Sequence, residues 1–474
     1  MNNYKMTVGL EVHVELKTQT KIFCSCPSGF GAAPNTSVCP VCLGLPGAMP
    51  TLNRRVVEYA IKAGLATNCH VSRISGIDRK NYFYPDLPKG YQISQYFTPI
   101  CHGGYIDINT EAGEERIGIT RIHIEEDAGK LIHDKEEATL IDHNRCGVPL
   151  IEIVSEPDIH SPESARAYLK KLRSILVAIG ISDCKMNEGS MRCDVNLSVA
   201  PADSEKLGER TEIKNINSFS FVVKAIESEY KRQRDMLERG EKITRQTLRY
   251  NASSGKCEIM RTKESAVDYR FFPEPDLHSL LIEDSDIYRI KNELSPLPDQ
   301  RKAGYIELGL SEYDGEQLSS EPALADCFDA AAKKTRHTKT LANLLLGEIT
   351  RLSAGEEFFC PITPDSLAEL CELLGEERIN SSSAKKIIGI LWSDPSLTPN
   401  AIAEREDLWQ INDECELIKI ANEALAESQK ALADYKAGKS FALRSIVGKA
   451  MALSKGKANP QQIERIILDM IENT

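Results

Sequence analysis

No run in this chain of 474 residues approaches the roughly 18 consecutive apolar residues that a membrane-spanning helix needs. Its opening, MNNYKMTVGLEVHVEL, alternates apolar with polar residues instead of building a signal-peptide core. Both absences point to a cytoplasmic protein with no membrane partner. The phosphate-loop pattern GxxxxGKS/T, a GxGxxG after a strand and the GxSxG elbow are all missing, so any use of ATP rests on a site outside those motifs. There is no internal repeat and no low-complexity tract, which excludes solenoids and disordered linkers. Fourteen cysteines in 474 residues are too few for a disulfide-stapled secreted scaffold and suit reduced thiols or metal ligands. A formal net charge of -12 argues against a surface that is polyphosphate-binding throughout.

What is present is the composition of an ordinary folded protein, long enough for about three domains. The first 290 residues are strand-rich. TVGLEVHVEL and MRCDVNLSV alternate with period two, and short apolar runs such as PLIEIV lie between turn residues. A helix is expected from the N-cap Ser161 and Pro162 to the terminator Gly180, and a second from about Phe221 to Leu237. Prolines interrupt the pattern at NELSPLPDQR, residues 292 to 301, and helical periodicity dominates beyond. Thr363 and Pro364 open a helix that Gly375 is expected to close, and the serines of SSSAKK, 381 to 386, read as helix capping. A second proline-punctuated stretch covers 392 to 407. The expected architecture is α+β: a strand-rich domain over 1–292 with an antiparallel sheet, then all-helical domains over 293–405 and 406–474.

Charge is uneven. Residues 1 to 290 carry 37 basic and 40 acidic side chains, leaving 21 and 30 for the remainder. Within that acidic half, residues 430 to 457 hold seven basic side chains, Lys449, Lys455 and Lys457 among them, against Asp434 alone. Such a stripe is either a phosphate-backbone contact or a solvated helix face.

In the first strand Glu11, His13 and Glu15 share one face, opposite Val8, Leu10, Val12 and Val14. Arg121, His123, Glu125 and Asp127 share a face in RIHIEEDAGK, and Glu152 sits alone in the apolar run PLIEIV, where an unpaired carboxylate is costly. Together Glu11, His13, Glu125 and Glu152 would make an oxygen-rich site with one nitrogen, suited to Mg2+ or Mn2+. Arg192, Asp194 and Asn196 form another polar row that suits substrate polar groups; a solvated sheet face is the bland alternative. Cys24, Cys26, Cys39 and Cys42, spaced C-x-C, twelve residues, C-x-x-C, read as a closed four-thiolate structural Zn2+ knuckle, with clustered free thiols as the alternative.

The strings VGLEVHVELKT, DRKNYFYPDLPKGYQISQY, GITRIHIEEDAGK, GVPLIEIVSEPDI, GSMRCDVNLSV, EIKNINSFSFV and DYRFFPEPDL resemble the GatB family of the tRNA-dependent aspartyl/glutamyl amidotransferases, the GatCAB complexes, and the likeness runs end to end. The resemblance implies a cradle-shaped N-terminal domain, a helical linker domain and a YqeY-like tail that contacts tRNA, so that Lys449, Lys455 and Lys457 gain a partner. It implies ATP- and Mg2+-dependent phosphorylation of the side-chain carboxylate of Glu-tRNA(Gln) or Asp-tRNA(Asn), followed by amidation. The ammonia would come through a tunnel from a glutamine-hydrolysing amidase partner, with a third, small protein making up the heterotrimer. The family's Mg2+ site maps onto Glu11, His13, Glu125 and Glu152, and Lys89 and Glu126 fall in strings that suit a tunnel mouth. The four-cysteine cluster resembles a zinc-binding version found in part of the family. A non-catalytic tRNA-binding scaffold in the same complex remains the alternative expectation.

Overall fold

The computed structural model describes residues 4–135, 138–262, 268–353 and 358–472, and the chain divides into two compact units, Met1–Leu297 and Pro298–Thr474. Residues 473 and 474, the end of the expected helical tail, lie outside the described residues.

The period-two alternation at the start of the chain produces a strand, Tyr4–Glu15, that is the central member of a nine-stranded sheet. Across the sheet the strands run Lys256–Thr262, Gln246–Asn251, Thr211–Ile216, Met191–Pro201, Tyr4–Glu15, Pro149–Ser155, Gly113–Glu126, Cys101–Thr110 and His70–Val71. Neighbours are antiparallel with one exception: Thr211–Ile216 pairs in parallel with Gln246–Asn251. The expected antiparallel sheet therefore carries one parallel step, and helix Phe219–Glu238 is the long crossover that such a step requires.

Val8, Leu10, Val12 and Val14 are at most 1% exposed and share one apolar cluster with Tyr168, Leu169 and Leu172 of helix Pro162–Ala178 and Val222 and Ile226 of helix Phe219–Glu238. Full burial of such side chains is worth about 1.5–3 kcal/mol each, so this cluster holds the sheet in place. The Ser161 hydroxyl accepts the Ser164 amide at 2.9 Å to start the first of these helices, and Gly180, at φ +72°, follows its end. The polar end of the sheet is covered by a three-stranded sheet of Phe272–Pro273, Asp78–Asn81 and Tyr91–Ser94. Gln92, Ile93 and Ser94 hydrogen-bond to Glu125 or Glu126 at 2.6–3.4 Å, which ties the small sheet to the large one.

The second unit is helical and contains two separate buried clusters, one built from residues such as Phe328, Leu345, Leu370 and Ile387, the other from Leu417, Ile446, Ile463 and Ile467. Helix Pro364–Gly375 is capped by Thr363 as expected, but the left-handed turn that ends it falls on Glu377 (φ +55°). Gly375 answers a packing demand instead: a Cβ there would lie 2.2 Å from the His337 ring. Helix Ser381–Ser393 is capped by Asn380, whose side chain accepts the Ser383 amide at 2.9 Å, with the serines filling its first turn. No helix among the described residues is long and apolar enough to cross a membrane.

Candidate metal and substrate site

Strand register assembles the site. His13 stands directly opposite Glu152 on one side and Arg192 on the other, and Glu152 stands opposite His123, so four strands contribute one row across the sheet. His13 Nε2 lies 3.5 Å from Glu125 Oε1 and 3.3 Å from Glu152 Oε2; His123 Nε2 lies 3.7 Å from Glu125 Oε2 and 3.4 Å from Glu152 Oε2. Glu125 and Glu152 are 3% and 8% exposed. His13, Glu125 and Glu152 could hold a metal ion, since one donor atom from each lies within 4.8 Å of the others. His123 is the residue that sequence reasoning left out of the set. Its place on the Arg121–Asp127 face was visible, but its pairing with Glu152 depends on strand register.

The cluster is electrostatically tight. Burial alone would push His13 down, but the hydrogen bond and charge of Glu152, with Glu125 behind it, raise it to about 9. Burial likewise opposes the charge on His123, and Glu152 with Glu125 overcomes it. Against the same desolvation, His123 and His13 hold the Glu152 carboxyl well below its ordinary range, and a hydrogen bond from His123 keeps Glu125 low. The two imidazoles meet the two carboxylates through their Nε2 atoms, where a cation could replace positive charge, and His123 Nδ1 is buried without a partner among the described residues.

Glu11 falls in a neighbouring group. It stands opposite Asp194, and one oxygen each of Glu11, Asp194 and Glu212 gather within 4.8 Å. Burial and the charge of Glu152 raise the Glu11 carboxyl above its usual range, so the two groups sense each other. Lys214 pairs with Asp194 and, at 2.9 Å, with Glu212, and Asn196 Nδ2 donates to Glu11 Oε1 at 2.8 Å. Glu212 and Lys214 lie in the string EIKNINSFSFV, but sequence reasoning gave neither of them a place in the site. A cavity of about 240 Å³ opens beside Glu11 and is lined by Thr7, Gly9, Ser155, Asn196, Ser198 and Arg210 among others. The Asn196 Oδ1 atom is buried without a donor. A second cavity of about 450 Å³ shares Thr7, Pro157 and Leu207 with it.

Arg192 Nη2 bonds Asp127 Oδ2 at 2.8 Å, and Lys89 Nζ pairs with Glu126. Around that second pair the cysteine segment is close: a Cβ on Gly44 would lie 2.4 Å from Lys89 Cγ, and the Lys89 ammonium lies 5.7 Å from the centre of the Phe23 ring. The four sulfurs of Cys24, Cys26, Cys39 and Cys42 lie within 4.8 Å of one another, and Cys39 and Cys42 are 3.9 Å apart. Tetrahedral bonds of about 2.3 Å would put sulfurs roughly 3.8 Å apart, so the cluster could hold a metal ion. Hydrogen bonds, first from Cys24, bring the Cys42 thiol down to about 4 despite burial, and the charge of Lys21 adds to that pull. The fully buried Lys21 sends its ammonium to Ser37 O at 2.7 Å and Cys42 Sγ at 3.7 Å.

Of the tail lysines, Lys449 bonds Glu427 at 2.6 Å, Lys457 pairs with Asp407, and Lys455 is exposed at φ +53°. Two of these three lysines are therefore partly neutralised within the chain.

The family model for the GatB/GatE catalytic domain matches residues 6–288, and that for the GatB domain of the YqeY type matches 326–471. The chain is 49% identical to the B subunit of aspartyl/glutamyl-tRNA(Asn/Gln) amidotransferase from Caldicellulosiruptor saccharolyticus, with 99% of both chains covered. It is 50% identical to the protein of that name from Caldanaerobacter subterraneus over 98% of both chains, and 48% identical to that from Geotalea daltonii over 99% of both. This chain belongs to the GatB family of tRNA-dependent amidotransferases. The catalytic-domain match spans every residue of the two acidic groups, and the match to the YqeY-type model includes Lys449, Lys455 and Lys457.

Proposed function

We propose that the chain acts as the GatB component of a tRNA-dependent amidotransferase, converting Glu-tRNA(Gln) or Asp-tRNA(Asn) to Gln-tRNA(Gln) or Asn-tRNA(Asn). The observation that carries this reading is the convergence of His13, His123, Glu125 and Glu152 beside the Glu11 group and its cavity. The chemical need is plain. A carboxylate has a poor leaving group, and phosphorylation by ATP makes it an acylphosphate that ammonia can attack, releasing phosphate.

Mg2+, held by His13, Glu125 and Glu152 with Glu11 adjoining, would neutralise charge on the transferred phosphoryl oxygens. The donor set fits, being mostly carboxylate oxygen with the imidazoles able to leave the cationic state. ATP would take the cavity beside Glu11, where Arg210 supplies positive charge. Arg192, Asp194 and Asn196 face the substrate's polar groups. Lys89 and Glu126 would flank the entry of ammonia delivered by a glutamine-hydrolysing amidase partner, with a third, small protein making up the heterotrimer. Zn2+ in the four-cysteine knuckle would be structural, because all four positions are taken by protein. The division into domains over 1–292, 293–405 and 406–474, the last contacting tRNA through Lys449, Lys455 and Lys457, and a cytoplasmic setting complete the proposal.

The test uses the assembled complex with misacylated tRNA, ATP and Mg2+. Glu152→Gln and Glu125→Ala should abolish ADP release while glutamine hydrolysis by the amidase persists. Retained phosphorylation in both variants would refute the assignment.

A further inference from the structure

Five aromatic rings form a ladder that no catalytic step above uses. Tyr82 meets Tyr269 edge-on at 6.0 Å, Tyr269 meets Phe271 at 6.0 Å, Phe271 stacks on Tyr96 at 4.1 Å with planes 11° apart, and Tyr96 meets Phe97 at 5.2 Å. None of the five is among the side chains packed on the apolar core, and Tyr96 and Phe97 are 46% and 59% exposed. Exposed aromatic surface of this extent is costly unless something covers it.

The ladder is rigid. The buried Asp78 carboxylate accepts the amides of Tyr96 at 2.7 Å and Phe97 at 3.1 Å. Gln95, 1% exposed, donates to Ser75 Oγ at 2.7 Å and accepts the Ile124 amide at 3.0 Å, pinning the turn to the long strand. It is also flanked by cations: Lys80 Nζ lies 5.2 Å from the Tyr269 ring centre and 5.8 Å from that of Tyr82, and the Arg121 guanidinium lies 5.8 Å from that of Tyr96. The ladder adjoins the candidate metal site, since Ser94, two residues before Tyr96, donates its hydroxyl to Glu125 Oε2 at 3.4 Å.

Rings fixed against one another, edge-on and in one stacked pair, interleaved with positive charge and leading to the proposed phosphoryl-transfer site, have the chemistry of a single-stranded nucleic-acid platform. Bases stack on aromatic faces with little regard to sequence, and lysine and arginine take the phosphates. The geometry points to this ladder as the seat of the unpaired 3′-terminal nucleotides of the aminoacyl-tRNA, holding the esterified amino acid at the metal site. This inference rests on the functional reading proposed above and adds the specific surface that positions its substrate.

The test measures affinity of the assembled complex for its tRNA, intact or shortened by the three 3′-terminal nucleotides. The proteins are wild type, Phe97→Ala, Tyr96→Ala and the ring-preserving Phe97→Tyr. For the wild type, shortening the tRNA should weaken binding roughly 5- to 150-fold, the worth of about one well-stacked base. Phe97→Ala and Tyr96→Ala should weaken intact tRNA by roughly tenfold yet add little to the effect of shortening, and Phe97→Tyr should bind as wild type. Two effects that multiply independently, or alanine variants that bind intact tRNA normally, would overturn the inference. So would variants that no longer assemble with the partner proteins, because the face would then dock protein. A wild-type complex that releases ADP normally while the effects stay independent overturns the ladder alone; one that neither binds tRNA nor releases ADP overturns the functional reading with it.

Discussion

Glu152→Gln tests the electrostatics of the site independently of turnover. His13 rises from an ordinary value of 6.5 to about 9 because, against burial, Glu152 and Glu125 favour its charged form. A raised folded-state value means stability that is fully present below the unfolded value and lost as pH climbs through the folded one. The window is therefore pH 6.5 to 9, and the displacement corresponds to roughly 3 kcal/mol lost across it by the metal-free chain. The carboxylates report the same attraction from the acid side, so their low values are not an additional contribution. Glu152→Gln removes the neighbouring charge with the larger effect and leaves only a neutral amide oxygen to accept the hydrogen bond, which should return His13 toward its ordinary value and flatten the profile. The assay is urea-dependent hydrogen exchange of peptides from Tyr4–Glu15 in EDTA, between about pH 6 and 9.5, because these amides report the sheet and not the helical unit. A wild-type profile that is flat over this range, or a Glu152→Gln profile as steep as wild type, would refute the reasoning.

Cys24→Ser should lower bound zinc from one equivalent toward none, measured by metal analysis of the purified complex; a wild type lacking zinc would count against the knuckle. With Lys89 and Glu126 proposed to flank the entry of ammonia, Lys89→Met should depress amidation driven by glutamine more than amidation driven by free ammonium, compared directly in one assay. Glu229, fully buried, accepts from Thr211 Oγ1 at 2.8 Å, Gln233 Nε2 at 2.8 Å and Arg232 Nη2 at 2.7 Å. Replacing it with Ala should cost about 3–5 kcal/mol, read as a shift in the urea midpoint of the N-terminal unit. Combined Lys449→Ala, Lys455→Ala and Lys457→Ala should weaken tRNA binding and flatten its salt dependence by at most about three units of slope, about one for each phosphate no longer neutralised, with less expected where a lysine is already paired.

Local chemistry was legible without coordinates wherever it depended on neighbours in the chain. Alternation assigned Glu11 and His13 to the face opposite Val12 and Val14, and the lone acid Glu152 announced a partner because an uncompensated buried carboxylate is costly. The gathering of the four cysteine sulfurs and the Ser161–Pro162 helix start belong to the same class, since both depend on near neighbours in the chain. Tertiary structure alone decided which distant residues meet. His123 joins His13 and Glu152 because three strands from well-separated parts of the unit pair in one register, whereas Glu11, two residues from His13, is drawn toward Asp194 and Glu212. The aromatic ladder is assembled in the same way, with Phe271 brought onto Tyr96 from the far end of the unit. Side-chain periodicity is a property of a single strand, but pairing register is a property of the whole sheet, and no local pattern encodes it.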